Sequence, residues 1–247
     1  MAKALVHTLA VIFLTVITQV GGVAWLIGLL FKRRVLAFLC AYTILSVSAY
    51  WMAPMFGRVP IPCSSDGAYH MQSKIYCVLN RQYVVPELKA AVADLAEEMD
   101  QTYPGAKTLI LDGNFPYFTG FPLLPHLSHD DGRKVDLAYY YRDENGYSVG
   151  KTRSPLGYFA FEMGPTDCQK SRLTLRWDLA WLQGIWPDLR LERQRTSTAL
   201  KILQRDDRIT KVFIEPHLKA SLGVHGTKLR FQGCRAARHD DHIHIQL

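Results

Sequence analysis

The chain has 247 residues, 49% of them hydrophobic, and a formal net charge of +7. Lys3, Lys32, Arg33, Arg34 and Arg58 all precede the first acid, Asp66, so +5 of that charge belongs to the start of the chain and about +2 to the remainder. A near-neutral remainder gives no basis for a nucleic-acid partner, and cations set among apolar residues point to a membrane instead.

Neither Ala4 to Phe31 nor Val35 to Phe56 contains a charged side chain. Each exceeds the roughly 20 residues needed to cross about 30 Å of hydrocarbon. With Lys32-Arg33-Arg34 as the turn between them, residues 1–56 are expected to form a hairpin of two transmembrane helices, about 4–31 and 35–56. A cleaved signal peptide fits less well, because Lys3 is its whole charged flank and no small-x-small cleavage site follows. The positive-inside rule puts the Lys32–Arg34 turn in the cytoplasm and both chain termini outside it, with Tyr50 and Trp51 at the outer interface.

Residues 57–62 contain Pro60 and Pro62 and read as a short stiff linker. Residues 63–247 suit one compact domain. A helix is expected from Pro86, with Leu88, Val92, Leu95 and Met99 on one face. Lys107 to Leu111 reads as a buried strand, and a further strand starts close to Asp136. Thr174 to Trp186 and Thr196 to Arg205 read as helices, with Trp177 and Trp181 in the core. Val212 to Ile214 is a strand stopped by Pro216, and the chain ends in the alternating strand His242 to Leu247. Strands and helices mix without βαβ regularity, which predicts an α+β fold with an antiparallel sheet. Cys63, Cys77, Cys168 and Cys234 permit two disulfides in any of three pairings, as suits an exported domain, while Cys40 lies in the second apolar run.

Of the nine histidines, His239, His242 and His244 crowd the C-terminus. In a strand, side chains two apart share a face, so His242 and His244 aim at one target while Ile243 and Ile245 pack behind them. The stretch Ser128 to Asp136 supplies His129 and Asp136 on either side of a turn allowed by Gly132. A histidine and a carboxylate so spaced reach one metal if the loop curls back. Either member of the C-terminal pair fits as a further ligand.

His129-x6-Asp136 followed by His242-x-His244 resembles the zinc peptidases grouped with lysostaphin, the D-alanyl-D-alanine peptidases and the zinc domain of hedgehog proteins. The ending Arg238 to His244, with His239 three positions before His242, looks closest to the penicillin-insensitive murein endopeptidases. That resemblance covers roughly residues 109–247 and implies one zinc ion on His129, Asp136 and His244, with His242 and His239 as catalytic neighbours. It implies Asp240, Asp241 or Glu215 as partners that orient the imidazoles, and peptidoglycan peptides as substrate. The expected place is then a bacterial inner membrane with the catalytic domain in the periplasm. A D-alanyl-D-alanine carboxypeptidase or dipeptidase, or a non-catalytic zinc-containing wall-binding module, are the alternatives on the same scaffold. His126, three residues before His129, is expected to line the cleft or to be structural. The soluble murein endopeptidases lack the apolar N-terminus found here.

Overall fold

A computed structural model describes residues 1–169 and 173–247. Helix α1 (Ala2–Thr18) is followed by a short α2 (Gly21–Leu29), then by α3 (Arg34–Met52) and a 3-10 turn, Ala53–Phe56. The first apolar run is therefore two helices rather than one long helix. Gln19 takes a left-handed φ of 67°, and the Thr18 hydroxyl accepts a bond from the Gly21 amide at 2.8 Å where the new helix begins. Gly21 and Gly22 pack so tightly against α1 that a Cβ on either would collide with Thr18 or Thr15. Among the described residues, one helical stretch is long and apolar enough to cross a membrane, the 23 residues Arg34–Phe56, with a mean hydropathy of 1.7.

The globular part begins inside the expected linker. Strand β1 (Val59–Pro60) pairs with β3 (Tyr83–Val84), and Arg58 and Ile61 are buried. Between them lie β2 (Tyr69–Met71) and α4 (Lys74–Val78). Helix α5 (Pro86–Thr102) starts on a proline, whose missing N–H costs nothing in the first turn, and buries Leu88, Val92, Leu95 and Met99 as its spacing predicts. Next come β4 (Thr108–Ile110), β5 (Lys134–Ala138), β6 (Tyr141–Asp143) and β7 (Gly146–Tyr147). Helix α6 (Ala180–Gln183) and β8 (Arg190–Leu191) precede α7 (Arg193–Arg205), and the chain closes with β9 (Lys211–Phe213), α8 (Pro216–Ser221), β10 (Leu229–Arg230) and β11 (His242–Gln246).

The fold is α+β. Its main sheet runs β10-β9-β11-β5-β4-β2. This sheet is mixed rather than purely antiparallel, because β10 with β9 and β2 with β4 are parallel, but the central pair β5 and β11 is antiparallel. A smaller sheet, β7-β6-β8, flanks it. Helices α5 and α7 join one core with Val135, Leu137, Val212, Ile243 and Ile245. Those alternate strand residues point to the helices, so Asp136, His242 and His244 point to the other face.

One expected helix is largely absent. Thr174 to Trp186 is helical at Ala180–Gln183 alone, and Trp177 and Trp181 are 57% and 73% exposed. Leu179 has a left-handed φ of 43°, which ends helical propagation toward Trp177. The cysteines pair as Cys63–Cys77 and Cys168–Cys234, leaving Cys40 free on α3.

Candidate metal centre

The central strand pair builds most of the site. In the β5–β11 register His244 lies directly opposite Asp136, and their side chains leave the same face of the sheet. Nδ1 of His244 stands 2.8 Å from Oδ1 of Asp136. The third group arrives from the loop before β5. Gly132 turns that loop with a φ of 82°, and a Cβ there would press on Val85 at 3.1 Å. The turn is held by Asn114, whose Oδ1 accepts from the Gly132 amide at 3.0 Å and whose Nδ2 donates to the Lys134 carbonyl at 2.8 Å. His129 is thereby folded back over the sheet, its Nε2 3.1 Å from Nδ1 of His244 and 3.3 Å from Oδ1 of Asp136.

All three groups are buried. Nδ1 of His129 donates to the Gly113 carbonyl at 2.9 Å, which leaves the Nε2 lone pair facing the cluster. A triangle of two nitrogens and one carboxylate oxygen with edges of 2.8, 3.1 and 3.3 Å approaches the roughly 3.3 Å ligand separation of a tetrahedral zinc site with bonds near 2.0–2.1 Å. The donor set thus fits a zinc-like divalent ion. His126 also belongs here: with His129 and Asp136 it forms a group whose ligand atoms lie within 4.8 Å of one another and could hold a metal. Its Nδ1 is 3.3 Å from Oδ2 of Asp136 and 3.0 Å from Oδ2 of Asp112. The spacing His126-x-x-His129 was the available sequence signal for it.

His242 sits beside these groups with Nε2 3.7 Å from Oδ1 of Asp136 and Nδ1 2.5 Å from Oδ1 of Asp241. Burial alone would lower its pKa, but the Asp136 and Asp241 carboxylates outweigh burial and push it up to about 9. Burial has the opposite outcome at His244, whose pKa falls to about 4 despite the pull of Asp136. His239, next to His242 at a ring distance of 4.9 Å, is held well below the usual histidine value by burial and by its histidine neighbours. Its buried Nδ1 has no hydrogen-bond partner among the described residues. Asp136, although burial opposes its charge, is held well below the ordinary carboxylate range by His129, His242 and His126.

The three supporting acids separate by contact. Asp241 orients His242 and is itself fixed by the Phe159 amide at 2.6 Å, which reaches it through a left-handed φ of 65° at Phe159. Asp240 instead pairs with Arg238 and lies 3.8 Å from His217. Glu215 accepts from the His239 amide at 3.2 Å and takes both arms of Arg176 at 3.0 and 2.7 Å, so it steadies the turn that carries His239 rather than an imidazole.

Three contributors escaped the sequence reading. The Tyr158 hydroxyl donates to Oδ2 of Asp136 at 2.6 Å, and Asp112, locked to Arg81 at 2.6 and 2.7 Å, backs His126. Tyr158 lies in a segment without regular structure, and Asp112 and Arg81 are far apart in sequence, so no periodicity marks them. No protein-family model matches the chain, and no curated protein matches it in sequence.

Proposed function

We propose that the chain is a membrane-anchored zinc metallopeptidase that hydrolyses peptide cross-links of peptidoglycan. The observation that carries this reading is the convergence of His129 Nε2, Asp136 Oδ1 and His244 Nδ1 beside His242, whose ring is held by Asp241. Three N/O ligands with an open position characterise catalytic rather than structural zinc sites. A zinc ion held by these residues supplies a Lewis acid that polarises a peptide carbonyl and lowers the pKa of bound water toward neutrality.

The remaining residues define what the chain does around that ion. Asp241 fixes the ring of His242 through Nδ1, so its Nε2 proton is presented to the face that also bears Asp136 and His244. A proton held there stabilises a developing oxyanion or passes to the departing amine. His239, kept neutral by its surroundings, offers an acceptor at the same place. Tyr158 bonds the second oxygen of Asp136, with His126 3.3 Å from the same oxygen, and so leaves Oδ1 for the metal.

Arg81 and Arg238, bonded to acids around the cluster, are each already paired with a carboxylate. This supports an endopeptidase over a carboxypeptidase or dipeptidase, which needs a cation for the substrate's terminal carboxylate. The apolar helix Arg34–Phe56, the basic residues Lys32 to Arg34 at its start and the two disulfides support an inner-membrane protein with its catalytic domain in the periplasm. In this reading the N-terminal run is the other arm of a membrane hairpin.

The test is digestion of purified cross-linked muropeptides by the full chain in detergent with added zinc. Cross-links are expected to be cut, and the activity to vanish with EDTA and with His129→Ala. Release of free D-alanine with cross-links intact would replace the endopeptidase with a carboxypeptidase. Zinc-dependent binding to cell wall without turnover would replace it with a binding module.

A further inference from the structure

Helix α3 does not stand clear of the globular part. The residues Tyr42, Ser46, Ala49, Tyr50 and Ala53 recur at helical spacing and form one face of it. Each of them meets the globular part. The Tyr42 hydroxyl donates to the Val78 carbonyl, and Asn80 Nδ2 donates to Tyr42 Oη at 3.2 Å and Ser46 Oγ at 3.1 Å. Ala49 and Ala53 pack with Tyr83, and Tyr50 Oη lies 3.2 Å from Cys63 Sγ. The Cys63–Cys77 disulfide then ties α4 to the same seam. The other side of α3 exposes Ile44, Val47 and Trp51, and Leu39 is exposed one turn before Tyr42.

The levels along α3 set a depth. Trp51 suits the outer interface, and Tyr42 precedes it by nine residues, about 13 Å along the axis at 1.5 Å per residue. One hydrocarbon leaflet is about 15 Å thick. Val78, bonded to Tyr42, therefore lies deep in the outer leaflet when α3 is in the membrane. The surface presented there suits lipid. Ile75 and Val78 are 44% and 59% exposed, and residues 72–82 contain no acid. The Val78 carbonyl is satisfied by Tyr42, as hydrocarbon requires.

We propose that α4 is a second membrane contact, with Ile75 and Val78 among the acyl chains of the outer leaflet, so that the globular part is sunk into the membrane rather than suspended above it. The inference rests on the membrane-anchor reading of α3 and goes beyond it. It bears on the metal centre, because Arg81, three residues after Val78, bonds Asp112, which bonds His126. The depth of α4 thus fixes the height of the site above the membrane.

The test uses the full chain in nanodiscs of phosphatidylethanolamine and phosphatidylglycerol, on a Cys40→Ser background with both disulfides intact. Spin labels are placed by Ile75→Cys, Val78→Cys, Leu39→Cys as the anchor probe and Val149→Cys as the solvent probe, and power saturation compares oxygen with a water-soluble nickel chelate. Labels at 75 and 78 are expected to favour oxygen as the label at 39 does, against the reverse at 149. A lipid-facing label at 39 with water-facing labels at 75 and 78 overturns the inference and leaves the anchor standing. A water-facing label at 39 overturns both. The unsubstituted chain gives an independent reading: a carbene precursor carried on acyl chains is expected to tag the peptide containing residues 74–79, and no tag there overturns the inference.

Discussion

His244 lies beside Oδ1 of Asp136 and His126 beside Oδ2, and each can compete for the place of third ligand. The edges at His244 are 2.8 and 3.1 Å, whereas Nδ1 of His126 is already hydrogen-bonded to Asp112 at 3.0 Å. His244→Ala is therefore expected to lose bound zinc, by at least tenfold in affinity, while His126→Ala retains it and loses activity. Elemental analysis after gel filtration separates the two, and the opposite pattern would exchange their roles. His242 carries the pH signature. Its pKa in the folded chain is pushed up to about 9, above the roughly 6.5 of a free histidine. A raised value contributes stability that is complete below about pH 6.5 and is lost as pH rises through about 9. His129, also raised because Asp136 outweighs its burial, acts in the same direction. Without metal, the melting temperature is expected to fall from pH 6.5 to pH 9, and His242→Gln to flatten that fall in circular-dichroism melts taken in EDTA.

The loop Asn114 to Asp130, which carries His126 and His129, is held at four points by Arg58. Arg58 is 1% exposed, and its guanidinium donates to the carbonyls of Phe115, Phe118 and Asp130 and to the Thr119 hydroxyl. Replacing it leaves several buried acceptors without donors, each costing about 1–3 kcal/mol. Arg58→Met is expected to destabilise the chain by about 3 kcal/mol in urea unfolding and to weaken zinc binding with it. A stable variant with normal zinc affinity would show that the loop holds itself. The strands need no such prop, because the β5–β11 register already opposes Asp136 to His244. That register also places Ile243 and Ile245 under α5 and α7, so a slip of one residue would exchange core and site.

At the scale of the whole molecule, the disulfides fasten distant segments, and a metal ion bound at the centre would do the same. The centre joins the loop at His129 to the last strand, a separation of 115 residues, and Cys168–Cys234 spans a further 66. A ligand that binds the folded state alone stabilises it in proportion to the logarithm of its concentration over Kd, about 4 kcal/mol at a thousandfold excess. Zinc is expected to raise the melting temperature measurably and EDTA to reverse this, with His129→Ala insensitive to both. A melting temperature indifferent to zinc in the unsubstituted chain would remove the metal from the account.

Much of this was legible in the chain itself because it rests on local periodicity. The α5 face, the alternation of β5 and β11, the turn at Gly132 and the pairing capacity of the cysteines follow from spacings of a few residues. The alternation alone put His242 and His244 on one face, and the sequence around Gly132 placed His129 and Asp136 on either side of a turn. The tertiary structure decided the rest, because it depends on what an element meets rather than on its own pattern. The i, i+4 pair Trp177 and Trp181 looked like core but is exposed, and the first apolar run breaks at Gln19, where two glycines allow a tight reversal. Which of Asp240 and Asp241 serves His242, the arrival of Tyr158 and His126 at the Asp136 carboxylate, and the meeting of that carboxylate with His244 across 108 residues of chain are tertiary outcomes. No local spacing encodes such contacts, since they exist once the sheet has formed and the loops have closed over it.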